Sequence, residues 1–352
     1  MTSPKSTKQP SFMKGLSKEA QKKQSAFFNV RVRHRKLDEL LDDLALLLTA
    51  QTESNIIFVV GATGVGKSTM NSNLLGNLSA FFAEEEENDA SVISIVYVEA
   101  YANGETRHGF RALYEDMLDG LHEPGTERKT AIEIKDGRVV LNPRRRQTIA
   151  SLRRQIESAF KYRKSRICVI DEAFHMSRFA KEAAVMDTLK SVANKTGIKL
   201  VLVGSFDLLD FAMEHGQIAR RTAILNFDHY HQDIEDDRKE FKEIVKKLTA
   251  KWPCAAVPNF FAISDDLMEA SLGCVGLLKS LLLDASAMQL RNEGKWDSKF
   301  LVKAAKSSKL LKVVRKEIEA GESKVKDALF GESLWDEKAL ARLTLAMERV
   351  NG

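Results

Sequence analysis

Long apolar runs are missing from this 352-residue chain. The longest, such as residues 56–60 and 200–203, have the length of one β-strand and fall far short of the ~20 residues that span a membrane. The basic N-terminal stretch also lacks the apolar core of a secretion signal. We therefore expect no membrane partner and a cytoplasmic location.

Cysteine is scarce as well. Cys168, Cys254 and Cys274 each stand alone in apolar surroundings, with no C-x-x-C pair that would suggest a metal or redox site. This pattern predicts three small core residues in a reducing compartment. The remaining composition, 44% hydrophobic and 29% charged, is ordinary for a water-soluble protein with room for about two domains.

One stretch carries a specific chemical signal. An apolar run at 56–60 leads into G-x-x-x-x-G-K-S, and a helix-compatible segment follows. This is the layout of a P-loop, in which glycines let backbone N–H groups face a phosphate and the next helix adds its positive end. Lys67 would reach the β- and γ-phosphates, and the Ser68 hydroxyl would ligate Mg²⁺. The predicted nucleotide contacts are Gly61, Ala62, Thr63, Gly64, Val65, Gly66, Lys67, Ser68 and Thr69.

Two acids end a later apolar strand, at Asp171 and Glu172. Downstream of a P-loop they indicate a Walker B element, in which Asp171 helps to hold Mg²⁺ and Glu172 polarises the attacking water. We therefore expect ATP and Mg²⁺ as ligands and hydrolysis as the reaction. Ser205, at the end of the following strand, is positioned to help orient that water, although serine is common after any strand.

Strands that alternate with helices predict an α/β fold with a parallel sheet covered by helices on both faces. We expect a basic mobile arm over residues 1–34, a nucleotide-binding domain over 35–232, a small α-helical lid over 233–295 and a helical tail over 296–352. The acidic run at 84–87 is most simply a solvated loop, and Asp136-Gly137 indicates a hairpin turn.

The ordered segments GATGVGKS, ICVIDE, LVLVGS and ARRTAILNF resemble those of the AAA+ ATPases. Within that family, the segment after the third motif and SLGCVGLLKSLLLDA near residue 280 are most similar to the TnsC/TniB type of transposition regulator. The resemblance covers residues 35–290. It implies an ATP-dependent adaptor that forms a ring or filament on double-stranded DNA and links a target-selection protein to the transposase.

The resemblance also assigns residue roles. Ser205 becomes the first sensor, and Arg220, rather than the adjacent Arg221, the arginine that reaches a neighbouring subunit's γ-phosphate. A simple basic surface pair remains an alternative for these two arginines. Relatives often carry an arginine at the start of the lid helix, where this chain has Leu277. Lys279 is an imperfect substitute and a candidate nucleotide contact.

Positive charge is concentrated in residues 124–166, with thirteen Lys and Arg against four Asp and Glu. Such clustering suggests a polyanionic partner, and the lack of interleaved aromatic residues favours phosphates of duplex DNA over stacked single strands. A solvated basic helix face is the competing interpretation. The candidate DNA contacts are Arg107, His108, Arg144, Arg145, Arg146, Thr148 and Arg153.

Two other classes of function remain open at this point. An origin-recognition or helicase-loader ATPase shares the same series of motifs, but it usually appends a winged-helix domain, for which the residues after 296 look too few and too uniformly helical. A signalling ATPase that uses nucleotide as a switch would not bind DNA at all. Reversal of the charges at Arg144, Arg145 and Arg146 would separate the DNA-binding classes from the switch.

Overall fold

The computed structural model describes residues 15–51, 54–100, 109–123, 131–135, 138–142, 148–178, 182–213 and 222–329. They fall into two compact units. The sheet unit contains Glu39–Ala62, Lys67–Phe227 and the residues from Ile318. The helical unit contains the residues up to Asp38, the short segment Thr63–Gly66 and Asp228–Glu317.

The sheet unit contains the strands β1 (Ile56–Gly61), β2 (Ile95–Glu99), β5 (Ile167–Asp171), β6 (Lys199–Gly204) and β7 (Thr222–Phe227). They form a five-stranded parallel sheet with the order β2-β5-β6-β1-β7, which is the core of this unit. All six residues of β1 and the first four of β5 are buried. Because both faces of a parallel sheet are covered, such strands must be apolar throughout, as the sequence predicted.

A separate antiparallel hairpin pairs β3 (Ala131–Lys135) with β4 (Arg138–Asn142). The pairing of Lys135 with Arg138 leaves a two-residue connection at Asp136-Gly137, which lies outside the described residues. The hairpin predicted from the sequence is confirmed by this register.

The first seven helices begin in the N-terminal segment and continue through the sheet unit. Their bounds are α1 (Lys18–Phe28), α2 (Arg35–Thr49), α3 (Lys67–Asn88), α4 (Gly109–Gly120), α5 (Ile149–Tyr162), α6 (Glu182–Thr196) and α7 (Leu209–Met213). Two 3-10 segments, Ala173–Arg178 and Phe206–Leu208, begin one residue beyond the ends of β5 and β6.

The acidic run at 84–87 is helical, so the prediction of a solvated loop was wrong. It forms the last turns of α3, which extends to Asn88. Glu85 pairs with Arg166 at 2.8 Å, and a Glu86 carboxylate oxygen accepts the Ser94 amide at 2.9 Å. Arg166 is 81 positions from Glu85, and Ser94 is bound through its backbone amide, so the local charge pattern could not reveal either partner.

Strand β7 was not predicted as a strand. It pairs with β1 in parallel register, from Ile56 opposite Thr222 to Gly61 opposite Phe227. Its first five residues are half-buried, and only Phe227 is fully buried. A half-buried outer strand that contains polar Thr222 and Asn226 gives a weaker apolar signal than the central strands.

The helical unit has its own core, built around Trp252, Phe260, Phe241, Leu278 and Leu282. Its helices are α1 together with α8 (Glu235–Thr249), α9 (Ser264–Ala270), α10 (Val275–Arg291), α11 (Lys299–Ala304) and the first half of α12 (Ser308–Leu329).

Part of the predicted mobile arm is instead ordered. Residues Lys18–Phe28 form α1, which Ser17 caps by accepting the Ala20 amide, and the Phe27 ring lies 5.4 Å from that of Trp252. Phe27 is almost fully buried, and the burial of its apolar ring stabilises α1 against the core of the helical unit. The composition of this segment is otherwise polar. The other predicted domain boundaries remain predictions.

All three cysteines are buried, as predicted. Across the described portion of the chain, no helix is long and apolar enough to cross a membrane.

Candidate nucleotide site

The P-loop lies between the end of β1 at Gly61 and the start of α3 at Lys67, in the predicted order of strand, loop and helix. Gly64 has a φ of +82° and Gly66 a φ of +125°. Side chains other than glycine rarely adopt this left-handed conformation, so the two glycines permit the turn. Ala62 and Val65 are buried and anchor the loop.

The Lys67 side chain folds back along this loop. Its Nζ donates to the carbonyl oxygens of Gly61 at 2.9 Å and Ala62 at 3.0 Å. An ammonium group is thereby held at the end of β1. Lys67 is thus in a position that suits an electrostatic contact with a nucleotide phosphate.

Asp171 is the last residue of β5, and its carboxylate is fixed by two hydrogen bonds. Oδ2 accepts the Tyr97 hydroxyl at 2.9 Å, and Oδ1 accepts the Glu172 amide at 2.8 Å. The Asp171 carbonyl accepts the Ala100 amide at 2.8 Å, which extends the pairing between β2 and β5 by one further bond. The orientation of this carboxylate is therefore set by the protein.

Glu172 follows in the left-handed region, with a φ of +47°, and its side chain is exposed. Its carbonyl accepts the His175 amide at 2.9 Å, which starts the 3-10 segment after β5. A left-handed conformation is unfavourable for a residue with a Cβ, and such conformations are concentrated at functional sites. The strained turn is consistent with a catalytic carboxylate at this strand end.

The role of Tyr97 was not predicted from the sequence. It lies in β2, where Tyr97 and Glu99 are exposed and alternate with buried neighbours. Partial desolvation of the side chain, followed by the negative charge of Asp171, raises the pKa of Tyr97 well above its usual value. The phenol therefore stays protonated and donates to Asp171. Alternation within an apolar run was the available signal, but the partner is 74 positions away.

The donor set fits a nucleotide with Mg²⁺. The Ser68 hydroxyl is exposed in the first turn of α3, and the Asp171 carboxylate lies at the end of β5 in the same unit. Hydroxyl and carboxylate oxygens are the hard ligands that Mg²⁺ prefers. Lys67 and the loop amides supply the complementary positive groups for phosphate.

Ser205 directly follows β6, the strand that lies between β1 and β5. Because the carboxyl ends of parallel strands share one edge of a sheet, this places Ser205 on the edge that carries both the P-loop and Asp171. Its backbone is extended, and its side chain makes no capping bond to the 3-10 segment that follows. The sensor role remains a prediction.

Two predicted contacts are engaged elsewhere. The Lys279 ammonium donates to the carbonyl oxygens of Phe28 at 2.7 Å and Val30 at 2.5 Å, and burial lowers its pKa to about 8. Arg153 in α5 pairs with Glu157 at 3.0 Å and also donates to Ser191. Both side chains have partners within the chain, and their predicted nucleotide and DNA contacts remain predictions.

Thr148 caps the start of α5, with its hydroxyl oxygen accepting the Ser151 amide at 3.1 Å. Further predicted site residues lie outside the described part of the chain: Arg107, His108, Arg144, Arg145, Arg146, Arg220 and Arg221.

Comparison with known proteins agrees with this geometry. The family described as AAA domain matches residues 17–211, which is more than half of the chain. The chain therefore belongs to the AAA domain family and carries an AAA-type P-loop ATPase domain. A search of curated proteins found no match.

Several solved structures share the fold. The ORC2 protein of Aeropyrum pernix, in ADPNP and ADP complexes, is 17% identical with a TM-score of 0.53, covering 78% of this chain and 68% of that one. The ORC1 protein of the same organism, in complex with DNA, is 16% identical with a TM-score of 0.54, covering 80% and 68%. Cdc6p from Pyrobaculum aerophilum is 15% identical with a TM-score of 0.52, covering 93% and 89%. At these identities the likeness defines the fold.

Proposed function

We propose that this chain is an ATPase that assembles on duplex DNA in the presence of ATP and acts as an adaptor in DNA transposition. The observation that carries the proposal is the arrangement at the end of β5, where Tyr97 orients the Asp171 carboxylate and Glu172 occupies a strained, exposed turn. A carboxylate pair of this kind on the P-loop edge of the sheet supports hydrolysis rather than nucleotide binding alone.

Each of these site residues has a separate role in hydrolysis. Lys67 and the loop amides bind the phosphates. Ser68 and Asp171 would hold Mg²⁺, which would neutralise phosphate charge there. Glu172 accepts a proton from the attacking water, and Ser205 helps to position that water. Arg220 of a neighbouring subunit completes the site, so that hydrolysis depends on assembly.

Duplex binding is assigned to the basic segment that leads into α5. Arg144, Arg145 and Arg146 precede Thr148, which caps the helix and leaves its first-turn amides beside the arginines in sequence. Arginine side chains and first-turn amides are both common ligands for DNA phosphates. Arg153 contributes less to this proposal because Glu157 already neutralises its charge.

The first test is ATP-dependent DNA binding by the whole chain. Fluorescence anisotropy with a labelled duplex of arbitrary sequence should show tighter binding with ATP than without nucleotide, and weaker binding as salt rises. Lys67→Ala should remove the ATP effect and retain the weak background. If ATP leaves duplex binding unchanged at moderate salt, the adaptor proposal is wrong.

The transposition role rests on the resemblance of the segments after β6 and around residue 280 to TnsC/TniB regulators. Its direct test is reconstitution with a candidate transposase and target-selection protein, in which the chain should make DNA insertion dependent on ATP. Insertion that proceeds equally well without the chain would reject the adaptor role while leaving the ATPase assignment intact.

An origin-recognition ATPase is the second candidate, and the shared fold with the ORC1 structure in complex with DNA supports it. Sequence preference distinguishes the two, because an adaptor has little, whereas an origin-binding protein favours particular sites. Competition between a labelled random duplex and unlabelled duplexes from the source genome measures this. A strongly preferred site would favour the second candidate.

Charge reversal distinguishes the transposition adaptor and the origin-recognition ATPase from a nucleotide switch that does not contact DNA. Replacing Arg144, Arg145 and Arg146 together with Glu should abolish duplex binding without changing ATP affinity. The matched control reverses Lys309, Lys312 and Lys316, three exposed lysines of α12. Unchanged DNA affinity after the arginine reversal would support the switch.

A further inference from the structure

The tip of the phosphate-binding loop, Thr63–Gly66, belongs to the same compact unit as helix α10. In the first turn of that helix, the Leu277 amide donates to the Gly64 carbonyl at 3.2 Å. We propose that Gly276 and Leu277 are positioning residues that set the backbone of this loop for phosphate binding, in place of a charged side chain from the helix start. This inference rests on the nucleotide binding proposed above.

The contact at Gly276 leaves no room for a side chain. A Cβ at this position would lie 2.5 Å from the Gly64 carbonyl oxygen and 3.1 Å from its carbonyl carbon. Side-chain carbons essentially never approach other heavy atoms closer than 3.0 Å, so a methyl group would displace the Gly64 peptide. The two backbones are thus in direct contact, and glycine at position 276 makes that approach possible.

The Leu277 side chain in turn leaves no room for a side chain at Gly64. Gly64 has a φ of +82°, and a Cβ there would lie 2.6 Å from Cγ and 2.8 Å from Cδ2 of Leu277. The leucine side chain therefore covers the loop at the residue that accepts the Leu277 amide. One hydrogen bond and two steric contacts together define the direction of the Gly64 carbonyl.

The start of α10 is itself fixed by a neighbouring turn. Gly273 has a φ of +67°, and its carbonyl accepts the Tyr230 amide at 3.1 Å. A Cβ at Gly273 would lie only 1.8 Å from the Tyr230 carbonyl oxygen, so this approach also requires glycine. Packing against Tyr230 thus fixes the turn that leads into Gly276 and Leu277.

The first basic residue of α10, Lys279, does not position the phosphate-binding loop. Lys279 donates to the carbonyl oxygens of Phe28 and Val30, within the same unit. An arginine sensor would distinguish ATP from ADP, because it contacts the γ-phosphate. A backbone contact at Gly64 has no net charge, and it acts on the loop amides that hold phosphate in both nucleotides. We therefore expect ATP and ADP affinity to depend on it equally.

The test measures binding of fluorescent ATP and ADP analogues with Mg²⁺ to the full chain and three variants. Gly276→Ala should weaken both nucleotides by about tenfold or more, since displacements of about 1 Å at a binding group have effects of this size or larger. Gly76→Ala is the matched control, because a Cβ at this exposed helical site meets nothing within 4 Å. It should leave both affinities unchanged.

Leu277→Ala provides a second variant that adds no bulk and keeps the backbone donor. It should weaken ATP and ADP binding in parallel, and it remains informative if Gly276→Ala fails to fold, which thermal unfolding without nucleotide will show. Parallel weakening by a folded variant supports the proposal. Unchanged binding by the folded variants overturns it, as does a loss confined to ATP. If the unaltered chain binds neither nucleotide, the proposed function is overturned as well.

Discussion

The Tyr97 hydroxyl donates to Asp171 Oδ2 at 2.9 Å, across the pairing of β2 with β5. The Glu172 amide occupies the other oxygen at 2.8 Å, so each carboxylate oxygen has one protein donor. Hydrogen bonds from two directions fix the plane of this carboxylate before any ligand binds. Donors that orient a metal-binding carboxylate in this way increase its affinity for the metal.

Tyr97→Phe should therefore raise the Mg²⁺ concentration that half-saturates ATP hydrolysis by about tenfold, since hydrogen bonds to ionised groups contribute ~1.5–3 kcal/mol. The kcat at saturating Mg²⁺ should change much less, because Glu172 and Lys67 are untouched. The measurement is ATPase rate against Mg²⁺ concentration. Tyr162→Phe, at an exposed tyrosine in the last turn of α5, is the control. An unaltered Mg²⁺ dependence would refute this role for Tyr97.

Glu172→Gln should separate binding from hydrolysis. The amide keeps the size and the backbone turn of Glu172 but cannot accept a proton, so kcat should fall by about 10²- to 10⁴-fold. ATP affinity should remain close to that of the unaltered chain, and a DNA-bound assembly should accumulate. Single-turnover hydrolysis and nucleotide titration check the two parts. Glu87→Gln, in an exposed position near the end of α3, controls for loss of a carboxylate. Rapid turnover by Glu172→Gln would remove Glu172 from the mechanism.

The parts of the site that could be predicted are those written in contiguous sequence. The P-loop from Gly61 to Ser68 and the Asp171-Glu172 pair each combine a strand with its own terminal residues, so their spacing is local. Tyr97 could not be found in this way, because only the sheet order brings β2 beside β5. The contact of Gly64 with Leu277 joins residues far apart in sequence and depends on backbone approach.

In the fold, too, the features set by contiguous sequence were predictable and those set by long-range contacts were not. Central strands were predictable because burial on both faces demands continuous apolar runs. Strand β7 is only half-buried, and α1 has a mean composition that is strongly polar, with Phe27 as its main anchor. Where a few long-range contacts decide the structure of a segment, composition and periodicity give little warning.

Gly321→Ala should destabilise the sheet unit. A Cβ at Gly321 in α12 would lie 2.0 Å from Cδ2 of the Phe206 ring, and Phe206 is 95% buried. Overpacking of this kind lowers the free energy of unfolding by about 1–3 kcal/mol. Urea unfolding provides the measurement. Gly76→Ala should have the opposite sign, a gain of about 0.5–1 kcal/mol, because alanine is favoured in an open helical position. Equal stability of the Gly321 variant would show that the ring relaxes freely.

His34 should make the helical unit sensitive to mild acid. Its side chain is buried, with Nδ1 3.0 Å from the Tyr230 hydroxyl oxygen. Burial lowers the pKa of His34 to about 4; Asp38 opposes this shift, and Lys247 and Lys36 add to it. The unfolded chain, with an ordinary histidine pKa of about 6.5, then binds a proton that the folded chain does not. Stability is full above pH ~6.5 and falls as the pH approaches ~4, by about 3 kcal/mol in total.

His34→Gln should flatten that decline, because glutamine does not titrate. Denaturant unfolding at about five pH values between 7 and 4 gives the free energy of unfolding as a function of pH. Its slope is then compared with the slope expected from proton linkage. His122→Asn is the control: His122 is exposed and has a φ of +51°, a conformation that asparagine tolerates. Its slope should match that of the unaltered chain. Asp228 and Asp237 also have lowered pKa values, but their loss of stability falls below the ordinary aspartate pKa, so it is separable from the histidine window. A decline that persists in His34→Gln would assign the acid sensitivity to another group.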